Sequence, residues 1–208
     1  MSWFNYIASM LFLLLSAWRP CDVPGLAVKG KFRWVVEKSS SLSIGGATNI
    51  NRFACGVAEY GEPDTITCLS EGCRGEVRGI PLRGALRINV ADFNCNNRIM
   101  TGEFKKTLRY KEYPRLVIRF LNLEKIPVFD THPVTIKGCV SVELAGVTKQ
   151  FDIDYVAHRA GETDARLVGC RDFGFSDFGL QPPQKMGGLI RVKDSLNVRF
   201  NLCLRALD

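Results

Sequence analysis

From residue 32 to the end of the chain, apolar and polar side chains alternate over run after run, and only short turns separate the runs. The last run, LIRVKDSLNVRFNLCLRAL, sets Leu196, Val198, Phe200, Leu202 and Leu204 against Asn197, Arg199, Asn201 and Arg205. That period of two belongs to a strand with one dry face and one wet face. In VTIKGCVSVELAG, residues Val134, Ile136, Val140, Val142 and Leu144 share a face. Only Ala145 and Gly146 separate them from VTKQFDIDYVA, where Val147, Phe151, Ile153 and Tyr155 repeat the pattern. Two such runs around a two-residue turn predict a β-hairpin. LRGALRINVADF places Leu86, Ile88 and Val90 together, and RLVIRFLNL does the same for Ile118 and Phe120. Further strands are expected over FRWVV, LSIGG with ATNINRFACGV, TITC, GEVRG and ARLVGCRDF, with Gly45 and Gly46 marking a bulge or bend inside one long strand. About eight successive strands of this kind predict an all-β antiparallel meander, and closure into a barrel removes its exposed edges.

One segment breaks the period. In NNRIMTGEFKKTLRYKEYP, residues Met100, Phe104 and Leu108 recur every fourth position, while Glu103, Lys105, Lys106 and Arg109 point away. This is an amphipathic helix. Tyr113-Pro114 is expected to stop it, because proline disfavours helical geometry at the preceding residue. Its Met/Phe/Leu stripe must lie on the barrel, either as a plug or as a lid over a cavity.

The N-terminus, MSWFNYIASMLFLLLSAWRPC, carries an apolar run from Ile7 to Ala17. It is too short for the ~20 residues of a membrane-spanning helix and fits the core of an export signal. Residues 1–22 are therefore expected to be a signal peptide, with cleavage after Ala17 or somewhat later, and the mature protein to be periplasmic or secreted. Lipidation at Cys21 is disfavoured by the bulky Trp18, Arg19 and Pro20 before it. The chain has eight cysteines, which suits an oxidising compartment. Cys68 and Cys73 bracket LSEG and form the first candidate disulfide; Cys55 and Cys95 form the second. No C-x-x-C pair occurs and the two histidines, His132 and His158, lie apart from paired cysteines, so metal spacing is absent. Motifs of hydrolytic or phosphoryl-transfer enzymes are also absent. The formal charge of +7 is scattered through alternating strands instead of forming a basic tract, and the strand aromatics share faces with aliphatics. Nucleic-acid binding is not expected on that pattern.

Four separated blocks resemble the YceI-like family, also called polyisoprenoid-binding proteins: SLSIGGATNINRFACGV, RINVADFNCNNRIMTGEFKKTLRYKEYPRLVIRF, VTIKGCVSVELAGVTKQFDIDY and DFGFSDFGLQPPQKMGGLIRVKDSLNVRFNL. Their order and spacing carry the resemblance, which supports one domain over residues 31–207. It implies a lipocalin-like, extended antiparallel barrel whose lumen holds a long amphiphile, an isoprenoid-like or fatty chain, without a catalytic centre or cofactor. A histidine and an aspartate often placed before the family helix are replaced here by NCNNRIM. Pairing of Cys55 with Cys95 looks like a feature of one subgroup.

The expected tunnel lining comprises Leu86, Ile88 and Val90; Met100, Phe104 and Leu108 of the helix; Ile118 and Phe120; Val140, Val142 and Leu144; Phe151, Ile153 and Tyr155; and Val198, Phe200 and Leu202. Lys105, Lys106 and Arg109 are the candidates to meet an acidic head group. Transient contact with a membrane surface accompanies such a role. A barrel filled by its own side chains, serving interaction or stress protection, shows the same alternation, and an enzyme acting on lipid is a third, weaker reading.

Overall fold

The longest alternating runs become the longest strands. A computed structural model describes residues 32–69, 79–125, 132–161 and 164–207; the expected signal peptide lies outside them. The strands are β1 (Phe32–Val36), β2 (Ser41–Thr48), β3 (Arg52–Val57), β4 (Thr65–Cys68), β5 (Ile80–Arg83), β6 (Ala85–Asn89), β7 (Arg115–Leu123), β8 (Val134–Leu144), β9 (Val147–Arg159), β10 (Asp164–Gly174), β11 (Gln184–Lys185) and β12 (Ile190–Leu207). Among the described residues one α-helix, α1, spans Arg98–Thr107. Eight strands close on themselves in the order β1-β4-β5-β7-β8-β9-β10-β12 and back to β1, every pair antiparallel. The all-β barrel with a single helix expected above is therefore the fold.

β12 is the spine. One of its edges pairs with β10 from Asp164↔Arg205 to Gly174↔Ser195. Its other edge is shared: β2 takes the span from Val192 to Asn201, and β1 takes Leu204 to Leu207. β7 is shared in the same way, with β6 opposite Arg115–Arg119 and β5 opposite Asn122 and Leu123. The wall therefore forks. Below the fork β4 bridges β1 and β5 and the cylinder is complete. Above it β2 carries β3 and β7 carries β6, and among the described residues no ladder joins β3 to β6.

Residues 90–108 fill that gap. Gly56 and Asn94 exchange both backbone hydrogen bonds at 2.9 Å, and Cys55 is disulfide-bonded to Cys95 next to them. The Phe93 ring meets the Phe104 ring edge-on at 5.5 Å between centroids. At the foot of the gap the Tyr60 hydroxyl accepts the Arg87 N–H (2.9 Å) and donates to the Asp64 carboxylate, which pairs with Arg87 at 3.0 Å. Burial and the neighbouring Asp64 hold the Tyr60 hydroxyl protonated far above the usual tyrosine range.

Several local expectations are corrected. Gly45 and Gly46 do not bend one long strand. They sit inside β2, the chain reverses at residues 49–51, and β3 runs back beside β2. A Cβ at Gly46 would lie 2.2 Å from the Phe53 ring, and the register irregularity falls opposite Gly46 and Thr48 on β12, between Val192 and Leu196. The return strand to β4 is Ile80–Arg83 instead of GEVRG, most of which lies outside the described residues. Val90 is buried as expected but opens a 3-10 turn, Val90–Asp92, and is not a strand residue. The helix ends well before Pro114. Arg109 takes a left-handed conformation (φ 55°), the Tyr110 N–H reaches the Lys105 carbonyl at 3.2 Å, and the Arg109 N–H reaches Lys106 at 3.0 Å. That pair of bonds is a Schellman stop. The strain of arginine at this position, of order 1 kcal/mol, is offset by stacking over Tyr113 at 4.9 Å and by an ion pair with Glu112.

On β9 the exposed Gln150, Asp152 and Asp154 alternate with the buried Phe151, Ile153 and Tyr155. Polar groups outside and apolar groups inside reverse the arrangement of a lipid-embedded barrel. The buried thiol of Cys68 is free, so the first disulfide candidate is corrected in favour of the second; Cys73 lies outside the described residues. Reduction of Cys55–Cys95, or a Cys55→Ser/Cys95→Ser variant, is expected to lower stability by about 3–4 kcal/mol, the loop-closure value for a bridge spanning 40 residues. Thermal melts should fall by about 10 °C, whereas a melt indifferent to reductant would mean that packing alone seals the gap.

Candidate functional site

The barrel interior divides into a solid half and a looser half. Around Gly138 and Gly169 it is interlocked: a Cβ at Gly169 would lie 2.2 Å from the Phe200 ring, and one at Gly138 2.9 Å from the Tyr155 ring. Those two rings pack at 5.7 Å. Burial pushes the Tyr155 hydroxyl far above its ordinary pKa, so it stays neutral among hydrocarbon. A small void of about 20 Å³ touches Leu86, Ile88 and Leu202.

Toward α1 the packing opens into a cavity of about 60 Å³. Leu42, Ile44, Phe93, Leu116, Phe173, Phe178, Leu180 and Leu196 line it together with Phe104, Leu108, Ile118, Val140, Val142, Leu144, Val198 and Phe200. The last eight were expected to line a tunnel. Val90, Phe120, Phe151, Ile153 and Tyr155 are packed elsewhere in the core. A continuous tunnel is not open in this conformation. About 150 Å³ is the scale of an apolar cavity that takes one benzene, and side chains fill the rest of the lumen.

Outside, a groove of about 300 Å³ runs between α1, the β2–β3 turn and the segment leading into β12. Ile50, Phe53, Ile99, Met100, Pro183, Ile190 and Val192 form its apolar walls, and Glu103 pairs with Lys185 at 2.8 Å on its rim. Phe104 and Phe175 belong both to this groove and to the inner cavity. The two aromatic side chains are thus the partition between outside and inside.

Each half of the partition is positioned by polar devices. On the α1 side, Asn96 adopts φ 54° and the Asn97 side chain caps the helix by accepting the Met100 N–H at 3.0 Å. Thr101 Oγ1 accepts the Cys95 N–H at 3.0 Å, tying the helix to the disulfide. NCNN is thus a turn and cap. On the other side, DFGFSDFGL ends β10 and folds inward through a 3-10 turn at Ser176–Phe178, with Gly179 left-handed (φ 64°). The Phe175 N–H donates to the Asp194 carbonyl at 3.1 Å, and the Ser176 N–H to the Asp194 carboxylate at 2.9 Å. Asp177 accepts the Gly174 N–H at 2.8 Å and pairs with Lys149 at 3.2 Å. Phe178 packs against Phe151 and Phe173. The sequence reading missed Phe173, Phe175, Phe178 and Leu180; the density of aromatics around glycine in DFGFSDFGL was the available signal.

The head-group candidates line neither space. Lys105 donates to the Ala91 carbonyl, Arg109 is engaged by Glu112 and Tyr113, and Lys106 lies exposed on the outward face of α1. The cation of the groove is Lys185. Burial raises the Cys68 and Cys139 thiols above their ordinary pKa, which keeps them protonated and unreactive.

Phe104→Ala should cost about 3–5 kcal/mol and join groove to cavity, so uptake of a fluorescent apolar dye is expected to rise; Met100→Ala, which trims only the groove, should cost less and leave uptake near wild type. The Gly174 hydrogen bond, and then Lys149, hold the Asp177 carboxyl below the usual range. Its folded pKa is below its unfolded one, so the stabilisation of this turn is complete above the unfolded value and is lost as pH falls through the folded value. In an NMR titration the Gly174 amide proton should stay unmoved until the pH has fallen below the ordinary aspartate range and then shift, a response absent from Asp177→Asn.

No family model matches the sequence, and no curated protein matches it. Solved structures do match in shape. A polyisoprenoid-binding domain from Saccharophagus degradans aligns over 84% of this chain and 98% of its own, at 11% identity and a TM-score of 0.61. BcnA of Burkholderia cenocepacia aligns over 81% and 98%, at 12% identity and 0.59. A mutant of the CJ YceI protein aligns over 69% and 82%, at 15% identity and 0.50. This similarity in shape over most of the chain makes the barrel the fold of the YceI-like proteins.

Proposed function

We propose that the protein is an exported carrier that takes up the hydrocarbon chain of a long amphiphile, such as a polyisoprenoid, through the external groove and into the barrel between Phe104 and Phe175. One observation carries this reading: a wholly apolar inner cavity lies directly behind two aromatic side chains that also floor an open apolar groove. Transfer of a chain from water into such a space is favourable by ~0.8 kcal/mol per methylene, so a few additional methylenes offset the rotation of two phenylalanines. The polyisoprenoid-binding description of the Saccharophagus domain supports the ligand class. The Cys55–Cys95 bridge supports an oxidising compartment such as the periplasm.

A filled barrel that serves by protein interaction is the second reading, favoured by the 60 Å³ size of the cavity. The groove and cavity offer little to catalysis: among the described lining residues their ionisable side chains are Glu103 and Lys185, and these neutralise each other.

Native mass spectrometry of protein purified from membrane-containing lysate separates the readings. A retained lipid of several hundred daltons is expected, and Val142→Asp should abolish it while far-UV circular dichroism stays that of the wild type. Protein that is always bare, with Val142→Asp unfolding the whole barrel, would establish the filled-barrel reading instead.

A further inference from the structure

Ile50, Ile99, Met186 and Leu189 are 65%, 75%, 70% and 72% exposed. They come from three separate parts of the chain: Ile50 and Ile99 line the external groove, and Met186 and Leu189 stand next to its lining residues Lys185 and Ile190. Ile50 tips the β2–β3 turn, Ile99 sits on the first turn of α1, and Met186 and Leu189 flank the short turn between β11 and β12.

Hydrogen bonds hold this display in place. The Asn49 side chain donates to the Leu189 carbonyl at 2.9 Å, and the Arg191 N–H returns to the Asn49 side chain at 2.9 Å. Thr48 Oγ1 accepts the N–H groups of Ile50 and Asn51 at 3.1 and 2.9 Å. Arg191 Nε donates to the Gly188 carbonyl at 2.7 Å. Met186 is kept at φ 52°, a conformation that side-chain-bearing residues avoid, with its side chain in water.

The surrounding charge is positive. Arg52 follows the β2–β3 turn, Arg98 precedes Ile99, Lys185 precedes Met186, and Arg191 lies two residues after Leu189; all four are exposed. The carboxylate of this rim, Glu103, is taken up by Lys185 at 2.8 Å. The whole chain carries +7.

We propose that this mouth docks on a bilayer bearing anionic headgroups, with Ile50, Ile99, Met186 and Leu189 in the interfacial layer and Arg52, Arg98 and Arg191 against lipid phosphates. Separate apolar tips on rigid turns, ringed by cations, suit a fluid interface that closes around each one. A protein partner calls for a contiguous packed apolar centre with few charges, and here the groove opens a trough between the tips. Docking stands on this geometry alone; its use, to place the groove against acyl chains for loading, rests on the carrier reading above.

The test is flotation of the full chain with phosphatidylcholine vesicles, with and without phosphatidylglycerol. Binding is expected only with phosphatidylglycerol and should weaken as salt is raised. Ile99→Ser and Leu189→Ser should each reduce it by about tenfold, and Arg52→Gln/Arg98→Gln should remove most of the phosphatidylglycerol dependence. All these sites are exposed, so melting temperatures should be unchanged. In an Ile99→Trp variant, tryptophan emission should shift further to the blue on the same vesicles than that of the unsubstituted chain, whose own tryptophans are Trp3, Trp18 and Trp34; the difference between the two reports this site. Flotation indifferent to the serine variants, absence of binding to both vesicle types, or an Ile99→Trp emission that vesicles shift no further than that of the unsubstituted chain overturns the proposal. So does loss of a protein complex, without change in flotation, in the serine variants, which would assign the surface to a protein partner. Leu189→Ser protein that fails to dock yet keeps lipid loaded from detergent micelles would uphold docking as separate from carriage; a docking-competent protein that never loads would sink the carrier reading and leave docking intact.

Discussion

The barrel is organised around a seam that backbone hydrogen bonds do not close. β12 and β7 each divide one edge between two strands, so the wall splits and leaves β3 facing β6 without a ladder. Unpaired strand edges over an apolar lumen admit water unless something covers them. Here the cover is Phe93, Phe104 and Leu108, pinned by Cys55–Cys95 and the Gly56–Asn94 bridge. A ladder is rigid, whereas a helix laid across a gap is held by side-chain packing. That difference places the adaptable part of the wall beside the groove.

The two halves of the lumen follow from it. Where the cylinder is complete, glycines on β8 and β10 let the rings of Tyr155 and Phe200 fill the centre, and the core is as dense as in any small barrel. Where the wall is forked, the lumen is capped from two directions, by α1 and by the Phe175–Leu180 turn. Two caps meeting edge to edge do not interlock as strands do. The cavity, the groove and the Phe104/Phe175 partition all lie along their junction.

Polar groups work around this junction without entering it. Asn97 and Thr101 set α1 on the disulfide, while Asp194 and Asp177 hold the opposing turn. Each spends its hydrogen bonds on backbone N–H groups that the irregular chain leaves without ladder partners. The space between the caps stays hydrocarbon, which suits a ligand recognised by apolar length more than by a head group.

Much of the architecture was legible in the order of residues. The period of two in β8, β9 and β12 marks which side chains face inward, the Ala145-Gly146 pair marks its hairpin, and the Met100/Phe104/Leu108 spacing marks the helix and its buried face. These are local properties, decided by covalent geometry and by which side chains avoid water. Other features were decided only in three dimensions. Arg109 ends α1 before Pro114 because its stacking on Tyr113 and its pairing with Glu112 exist only once the chain has turned. Cys55 finds Cys95 because the missing ladder brings β3 to the segment before α1, and Cys68 keeps its thiol inside the core. Alternation assigns a side chain to the inside but carries no information about whether the inside is full. That depends on which rings from distant strands meet and how their volumes add, so the solid half around Phe200 and the partition formed by Phe104 and Phe175 belong to the tertiary structure.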